Sequence, residues 1–359
     1  MKLAIVHDWI IDIGGAERAL IELHRLWPDA PIYTLLCNPS TIREHIPNAT
    51  IIASRLQRLP SAWRYHSQLA PLMPSAIESF DFSSFDTVIS SSVIFAKGII
   101  VRPGTHHVSY CYSPTRMLWD RSVEYERSGI FSRIFRHALR SWDVSASTRP
   151  DQFVAISSTV AQRIAKFYRR PSIVVPPPAR KPLIPIHEST APRGPLLVVS
   201  RLVPHKQLGA LIQAITKLSE KLIVVGDGPL RRTLERSAGA NVVFMGHISD
   251  EALSNLYHEC AAVIVPNEED WGLTAVEAML HGKPVLALRK GGSTESVIEG
   301  ITGEFFDDSI PEAIVDGIRR IREALPKYHP KEIQQHALQY TTEAFQGRMR
   351  ALIEHSPIC

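Results

Sequence analysis

Residues 267–279 read Asn-Glu-Glu-Asp-Trp-Gly-Leu-Thr-Ala-Val-Glu-Ala-Met. The apolar run before them, Ala261–Pro266, predicts a buried parallel strand. Thr274 is a favourable N-cap and Glu277 follows three residues later, as in a capping box, so we expect a helix to begin here. Glu269 then lies on the loop between strand and helix, and Glu277 lies in the first helical turn. The free N–H groups of that helix N-terminus suit a phosphate.

Each of these glutamates also has a purely structural explanation. A Thr-x-x-Glu capping box needs no ligand, which accounts for Glu277 alone, and Glu269 alone fits a solvated loop residue. Together, however, the carboxylates and the amide donors offer what a nucleotide sugar requires: donors for its diphosphate and acceptors for its hydroxyl groups. The functional explanation therefore depends on whether the rest of the chain supplies matching groups.

The bulk composition describes a globular protein of two domains. The chain has 359 residues, of which 45% are hydrophobic and 21% charged, and this length favours two cores over one. A net charge of +4 is too small to indicate nucleic-acid binding. The four cysteines form no C-x-x-C pair, which argues against a disulfide framework or a zinc site. Early charges argue against a signal peptide, so we expect a cytoplasmic protein.

Strand-like apolar runs alternate with helical patterns in both halves of the chain. The predicted strands are Leu3–His7, Ile32–Leu36, Thr50–Ala53, Thr87–Ser90, Val108–Cys111, Phe153–Ile156, Leu196–Ser200, Leu222–Val225, Val242–Phe244, Ala262–Val265 and Val285–Leu288. This alternation predicts an α/β protein with two Rossmann-like parallel-sheet domains that face a central cleft.

A proline-rich stretch separates the two halves. Residues 171–195 contain eight prolines and cannot hold a long helix, so they read as an inter-domain connection. We predict one domain at residues 1–175 and a second at 176–340. The tail at 341–359 has a helical pattern and is expected to pack on the first domain.

Several further polar groups follow predicted strands. Arg201 and Lys206 leave the first strand of the second half, where two cations can hold a diphosphate. Taken alone, however, they are better explained as solvated surface cations. Gly14 and Gly15 follow the first strand of the chain; glycine allows close approach of a ligand, but a plain turn also explains the pair. Tyr112 ends a strand in the first half, in a polar block where an acceptor could enter.

Taken together, these segments resemble family 4 of the retaining glycosyltransferases, which have the GT-B fold. The segments that carry the resemblance are Gly14-Gly15, Arg201 with Lys206, Gly226-Asp227-Gly228-Pro229, Glu269-x7-Glu277, Gly291-Gly292-x-x-Glu295 and Thr302-Gly303. The Glu-x7-Glu block with the two cations is the specific part, and the resemblance covers essentially the whole chain. The first half is similar to bacterial members that build surface polysaccharides, several of which are mannosyltransferases.

The resemblance implies a role for each matching position. Arg201 and Lys206 would bind the diphosphate, Glu269 would contact the donor sugar, and Glu277 would accept the ribose hydroxyls. The remaining donor contacts are implied for Gly14, Gly15, Gly246, His247, Trp271, Gly272, Leu273 and Thr274. Backbone near Gly246 and His247 would read the base, and the first domain would take the acceptor.

One position departs from the family pattern. Relatives usually carry a His where Tyr112 stands, near the transferred sugar. Tyr donates a hydrogen bond but is a poor general base near neutral pH. The departure favours a mechanism in which the leaving phosphate takes the acceptor proton on the same face.

The sequence therefore leads us to expect a metal-independent, retaining hexosyltransferase with no cofactor, because the chain has no D-x-D motif and offers cations instead. GDP-mannose is the leading donor by resemblance, and a glycan or polyprenyl-linked glycan is the expected acceptor. A sugar-nucleotide epimerase and a non-catalytic sugar-nucleotide-binding protein remain as alternatives.

A membrane surface is the last expected partner. Residues 55–65 and 127–140 interleave arginines with apolar and aromatic residues. This pattern fits peripheral docking on an anionic inner membrane face, and an ordinary core helix with Phe131 and Phe135 inside explains the second segment equally well.

Overall fold

The computed structural model describes residues 1–121, 130–182, 185 and 194–354, with backbone alone at 130–132. They form two compact units. The first comprises Met1–Pro178 and the chain from Phe345 onward, and the second comprises Ala179–Ala344.

In the described part of the first unit, seven strands form one parallel sheet. The strands are β1 (Leu3–Ile10), β2 (Ile32–Cys37), β3 (Ile51–Ala53), β4 (Thr87–Ser92), β5 (His106–Cys111), β6 (Gln152–Ala155) and β7 (Ile173–Val174). Their order across the sheet is β3-β2-β1-β4-β5-β6-β7, so β1 pairs with both β2 and β4. Strand β1 runs three residues beyond its predicted end, and the short edge strand β7 was not predicted.

The helices of this unit connect the parallel strands. They are α1 (Gly15–Leu26), α2 (Pro39–His45), α3 (Met73–Glu78), α4 (Ile130–Ala146) and α5 (Ser158–Phe167). Helix α5 begins where the Ser157 hydroxyl accepts the N–H of Val160 at 3.0 Å, which satisfies one of the free donors of the first turn. Residues 55–72 contain short 3₁₀ helices in place of a regular helix.

A buried ion pair fixes α4 in the first unit. The Asp143 carboxylate accepts from Lys97 Nζ at 2.7 Å and from Thr115 Oγ1 at 2.9 Å. It also accepts from Trp119 Nε1 at 2.8 Å and from the Tyr168 hydroxyl at 3.0 Å. A buried charge is tolerated only when it is paired and hydrogen-bonded, as here. This network therefore holds the loop that follows β5 against α4 and α5.

The second unit contains a six-stranded parallel sheet within its described residues. The strands are β8 (Leu196–Val199), β9 (Leu222–Val225), β10 (Val242–Gly246), β11 (Ala262–Val265), β12 (Val285–Leu288) and β13 (Gly303–Phe306). Their order is β10-β9-β8-β11-β12-β13. The central strand β11 is buried along its whole length, as expected for a parallel strand covered on both faces.

Helices alternate with these strands and continue to the end of the described chain. They are α6 (Leu208–Thr216), α7 (Arg231–Ser237), α8 (Asp250–Glu259), α9 (Leu273–Leu280), α10 (Ser293–Ser296), α11 (Pro311–Ala324), α12 (Pro330–Ala337) and α13 (Thr342–Glu354). The part of α13 that belongs to the first unit packs there: the Phe345 ring lies 5.7 Å from that of Tyr110, and Gln346 donates to Glu22 at 3.0 Å.

Both sheets reverse their strand order at one point. In the first unit the reversal lies between β1 and β4, and in the second it lies between β8 and β11. In open parallel sheets ligands bind outside the carboxyl ends of the strands at such a reversal. The predicted fold of two Rossmann-like parallel-sheet units is confirmed, and the reversals define where a site is expected in each.

Candidate functional site

Lys206 and Glu269 meet at the carboxyl edge of the second sheet. Lys206 ends a 3₁₀ turn after β8, and Glu269 lies on the loop after β11. Lys206 Nζ donates to Glu269 Oε1 at 2.5 Å, with the side chains 14% and 25% exposed. The two residues that sequence analysis assigned to diphosphate and sugar are therefore in direct contact, at the reversal of strand order.

Arg201 leaves the same strand end on a tightly packed loop. A Cβ at Gly226 would lie 2.1 Å from the Ser200 carbonyl oxygen, and a Cβ at Gly228 would lie 2.5 Å from that of Leu202. Only glycine permits this approach of the two loops. The Arg201 side chain is exposed, and within the described ranges no carboxylate lies at ion-pair distance from it. Its guanidinium is therefore available to an anion at this edge.

The predicted capping box at Thr274 is wrong. The N-cap of α9 is Gly272, which adopts a left-handed conformation with φ of 90°. Thr274 is the second helical residue, and its hydroxyl donates to the Val199 carbonyl at 3.3 Å. The chain turns into the helix at Gly272 because glycine has no penalty at positive φ. The first N–H groups of α9, from Leu273 and Thr274, lack acceptors within their own helix.

The Gly291-Gly292 pair packs against the Glu269 loop. Gly292 N donates to the Glu269 carbonyl at 2.8 Å, and Gly291 forms a parallel bridge with Glu269. A Cβ at Gly291 would lie 2.3 Å from the Glu269 carbonyl oxygen, and a Cβ at Gly292 would lie 2.4 Å from Trp271 Cα. These glycines therefore fix the loop that carries Glu269, a role that requires the absence of side chains.

Glu277 stands on α9 above a buried aromatic layer. Its carboxylate accepts from the Tyr257 hydroxyl at 3.4 Å, and Tyr257 stacks on His281 with ring centroids 4.6 Å apart. His281 Nδ1 lies 2.7 Å from the Glu277 carbonyl oxygen, and its Nε2 lies 3.0 Å from Ser254 Oγ. Burial lowers the pKa of His281 to about 4, so the ring is neutral near pH 7. This layer holds Glu277 half-buried beside the loop of Glu269.

Gly246 and His247 lie at the end of β10. Gly226 N donates to the Gly246 carbonyl at 2.8 Å, which joins the loops that follow β9 and β10. Gly246 is buried with φ of 69°, whereas His247 is exposed. Arg231 packs against Gly246, because its Nη1 would lie 2.8 Å from a Cβ there.

The predicted residues of the first unit form a separate hydrogen-bonded network. The Tyr112 hydroxyl donates to the Ala16 carbonyl at 2.8 Å and lies 2.9 Å from Ser91 Oγ. His7 Nδ1 lies 3.0 Å from Ser91 Oγ, and His7 Nε2 lies 3.4 Å from Glu17 Oε1. Tyr112 is thus tied to the first turn of α1, next to the predicted Gly15.

The glycine loop itself is held by Glu17. Gly14 is the N-cap of α1, and its N–H donates to Glu17 Oε2 at 2.9 Å. Burial by itself raises the pKa of Glu17. The hydrogen bond and charge of His7, together with the backbone N–H groups, lower it by a larger amount, so the net pKa lies below its ordinary value. Burial raises the pKa of Tyr112. Tyr112 therefore remains a protonated donor at neutral pH.

Sequence analysis missed the residues that hold these groups. Ser91 contacts the predicted Tyr112, and Tyr257 contacts the predicted Glu277, each about 20 residues away in sequence. His7 in turn contacts Ser91. Asp8 was also missed: its buried carboxylate accepts four N–H groups, from residues 93–96. The only sequence signal was a polar His-Asp pair in an otherwise apolar strand.

Two features are absent from the described part of the chain: a cluster of metal ligands and a membrane-spanning helix. No group of three or more His, Cys, Asp or Glu side chains in the described part of the chain is arranged to hold a metal ion. Among the described helices, none combines the length and the apolar character that crossing a membrane requires.

The fold and the site together define a parallel α/β protein of the GT-B type, with charged groups gathered at strand ends. A solved structure with this fold is that of Anabaena Alr3699/HepE in complex with UDP and glucose, with a TM-score of 0.72 at 17% identity over 99% of this chain and 100% of that one. At such identity the likeness concerns the fold alone.

Residues 184–333 match the family model of the glycosyl transferases group 1. The matched residues lie within the second unit, and the resemblance to a glycosyltransferase family seen in the sequence is confirmed. The chain is 35% identical over 145 residues to the lipopolysaccharide 1,2-N-acetylglucosaminetransferase of Salmonella typhimurium, covering 35% of this chain and 38% of the relative. It is 23% identical to the alpha-1,3/1,6-mannosyltransferase alg2 of Schizosaccharomyces pombe, covering 84% and 70%. Several matches span only about a third to a half of the curated relatives.

Proposed function

We propose that this protein is a retaining glycosyltransferase that moves a sugar from a nucleotide diphosphate sugar to a glycan or lipid-linked glycan. The observation that carries the proposal is the contact between Lys206 and Glu269, at the strand reversal of the group 1 domain. Arg201 at the same strand end and the N-terminus of α9 complete a set of donors for a diphosphate.

The chemistry requires charge stabilisation more than proton transfer by the protein. The bond between the anomeric carbon and the β-phosphate oxygen breaks, and a bond to the acceptor oxygen forms on the same face. The departing phosphate oxygen takes the acceptor proton, so no protein base is consumed. Arg201 and Lys206 oppose the charge that develops on the leaving group, which is where preorganised donors lower a barrier most.

The two glutamates serve the donor as hydrogen-bond acceptors. Glu269 contacts the sugar hydroxyls, and Glu277 contacts the ribose hydroxyls from α9. The backbone at Trp271 and Gly272 lies between these two glutamates in the chain and contacts the donor there. The base lies near Gly246 and His247.

The first unit is the proposed receiver of the acceptor. Tyr112 acts as a positioning residue here, because its hydroxyl holds Ala16 and therefore Gly15. Its raised pKa argues against a role as a general base.

GDP-mannose is the proposed donor. The mannosyltransferase named among the relatives supports a mannosyl donor, whereas the UDP complex with the same fold supports a uridine donor as the competitor. Bacterial surface polysaccharide is the proposed destination, and the lipopolysaccharide transferase among the relatives supports it.

A cytoplasmic location with docking on the inner membrane face fits a lipid-linked acceptor. On α4 the side chains of Ile134 and Phe135 are 61% and 37% exposed, and Arg133 beside them is exposed. This exposure argues against the core explanation for Phe135. Residues 127–129 and the side chain of Phe131 lie outside the described residues. Arg58, Leu59 and Tyr65, which are exposed, belong to the other segment of this character, residues 55–65.

Turnover of nucleotide sugars tests the proposal. The purified protein is incubated with GDP-mannose, UDP-glucose and related donors, with a polyprenyl-diphosphate glycan as acceptor, in excess EDTA. We expect release of nucleoside diphosphate that depends on acceptor, with the anomeric configuration of the donor retained in the product. An isomerised donor without acceptor would instead indicate an epimerase. Binding without any release would indicate a sugar-nucleotide-binding protein, and activity only with added magnesium or manganese would overturn the metal-free model.

A further inference from the structure

A fixed guanidinium stands at the strand ends where the base is proposed to lie. Arg231 Nε donates to Glu235 at 2.8 Å, and its Nη1 donates to Asp227 at 2.9 Å. Asp227 lies four residues before Arg231, in the loop after β9, and Glu235 lies four residues after it on α7, so the guanidinium is oriented from both sides. The Nη1 atom would lie 2.8 Å from a Cβ at Gly246. A residue larger than glycine at that position would therefore displace the guanidinium.

The loops around Arg231 are equally constrained. Gly226 N donates to the Gly246 carbonyl at 2.8 Å, so the ends of β9 and β10 are joined. Asp227 Oδ1 accepts the N–H of Gly228 at 2.7 Å, and this bond together with Arg231 lowers the pKa of Asp227. Asp227 is therefore ionised at neutral pH and anchors the guanidinium beside Gly246.

One donor atom of Arg231 has no acceptor among the described residues. Nε and Nη1 have partners, while no acceptor for Nη2 is found among the residues that the structure describes. The side chain keeps a third of its surface exposed. A guanidinium only donates hydrogen bonds. It therefore favours a base edge whose exocyclic group is a carbonyl, and it is disfavoured by an edge that presents an amino group there.

Local charge distinguishes this position from the diphosphate position. Arg231 is flanked by two carboxylates, Asp227 and Glu235, so the three groups together carry one negative charge. A diphosphate would be repelled by that balance, whereas a neutral base with exposed carbonyl oxygens would not. Arg201 and Lys206 remain the cations for the phosphates.

We propose that Arg231 is a specificity-determining residue that reads the nucleobase and selects donors with a keto base, guanine or uracil, over those with adenine or cytosine. Guanine offers O6 and N7 as acceptors, and uracil offers a carbonyl where cytosine carries an amino group. The inference rests on the proposed function, because it needs a nucleotide in this unit.

Binding of GDP, UDP, ADP and CDP by calorimetry tests it, on wild type, Arg231→Ala, Arg231→Gln and Arg232→Ala. Arg232 is the matched control, an exposed arginine on the same helix. We expect wild type and Arg232→Ala to prefer GDP or UDP over ADP and CDP by roughly tenfold to a hundredfold. Arg231→Ala should lose most of that preference while its affinity for ADP and CDP stays within a few-fold.

Arg231→Gln retains a polar side chain and offers both a donor and an acceptor, so its preference should also collapse. Equal weakening of all four nucleotides in both Arg231 variants would make the residue structural or phosphate-binding and would overturn the inference. So would a wild-type protein that binds the four equally or prefers ADP or CDP. A wild-type protein that binds none of them, or inorganic pyrophosphate alone, would instead contradict the proposed function.

Discussion

Lys206→Ala separates a catalytic role from a structural one. The ion pair with Glu269 is partly exposed, at 14% and 25% of the two side chains, and pairs of this kind stabilise a protein by about 1 kcal/mol at most. A preorganised charge that faces a leaving group is worth far more, roughly 3–4 kcal/mol, or a factor of 10² to 10³ in rate. We therefore expect a large loss of kcat/KM with a small loss of stability.

The assay measures nucleoside diphosphate release at several donor concentrations, together with urea unfolding of the same preparations. Lys217→Ala is the matched control, because Lys217 pairs with Glu312 at 2.7 Å in the same unit but carries no proposed role. Its kcat/KM should equal that of wild type. Glu269→Gln should also reduce turnover, because an amide cannot replace the carboxylate that faces the sugar. A kcat/KM for Lys206→Ala within a few-fold of wild type would refute the reasoning.

Three further predictions concern other parts of the chain. Tyr112→Phe removes the hydrogen bond to the glycine loop and should raise KM for the donor several-fold. The dependence of the rate on pH should stay unchanged. Loss of the basic limb of that pH profile would show that the hydroxyl titrates in catalysis. A double change of Arg133 and Arg136 to Glu should abolish the salt-sensitive co-sedimentation of the protein with anionic liposomes, whereas Arg232→Glu should leave it intact. Binding of the wild-type protein to neutral vesicles as strongly as to anionic ones would contradict docking through these cations. The third is a loss of stability in acid. Burial lowers the pKa of His281 to about 4 in the folded protein, whereas an ordinary histidine has a pKa of about 6.5. The unfolded chain therefore binds more protons between these two pH values, and stability falls as the pH drops through this window. At 1.36 kcal/mol for each pKa unit this loss of stability reaches roughly 3 kcal/mol. Urea unfolding from pH 7 to pH 4 should show a smaller loss in His281→Gln than in wild type. An equal loss in that variant would contradict the assignment to His281.

The sequence predicted most strands because a parallel strand buried on both faces is a continuous apolar run. Leu222–Val225 and Val285–Leu288 agree with their predicted limits. Strand β13, Gly303–Phe306, was missed because Gly and Glu interrupt its apolar character, and β7 was missed because it has two residues. Hydrogen bonds to a neighbouring strand decide such short segments, and these are not visible in local composition.

The site was predictable in residue type but not in contacts. Charged residues after strands β8 and β11 were assigned to parts of one donor. Lys206 does contact Glu269, because parallel strands end at one edge of the sheet. The start of α9 was misassigned, because a Thr-x-x-Glu pattern signals a capping box whereas Gly272 at positive φ makes the turn. The packing of Gly292 on Trp271 and of Arg231 on Gly246 depends on tertiary approach, which no local pattern encodes.

The measurement that tests the central claim most directly is the stability of the protein with nucleoside diphosphate. Wild type and an Arg201→Ala, Lys206→Ala double variant are unfolded with increasing GDP or UDP in the presence of EDTA. We predict that wild type gains about 2.7 kcal/mol when the nucleotide is present at 100 times its Kd, and that the double variant gains far less at the same concentration. No stabilisation of wild type by either nucleotide, or an equal gain in the double variant, would contradict a diphosphate site at the ends of β8 and β11.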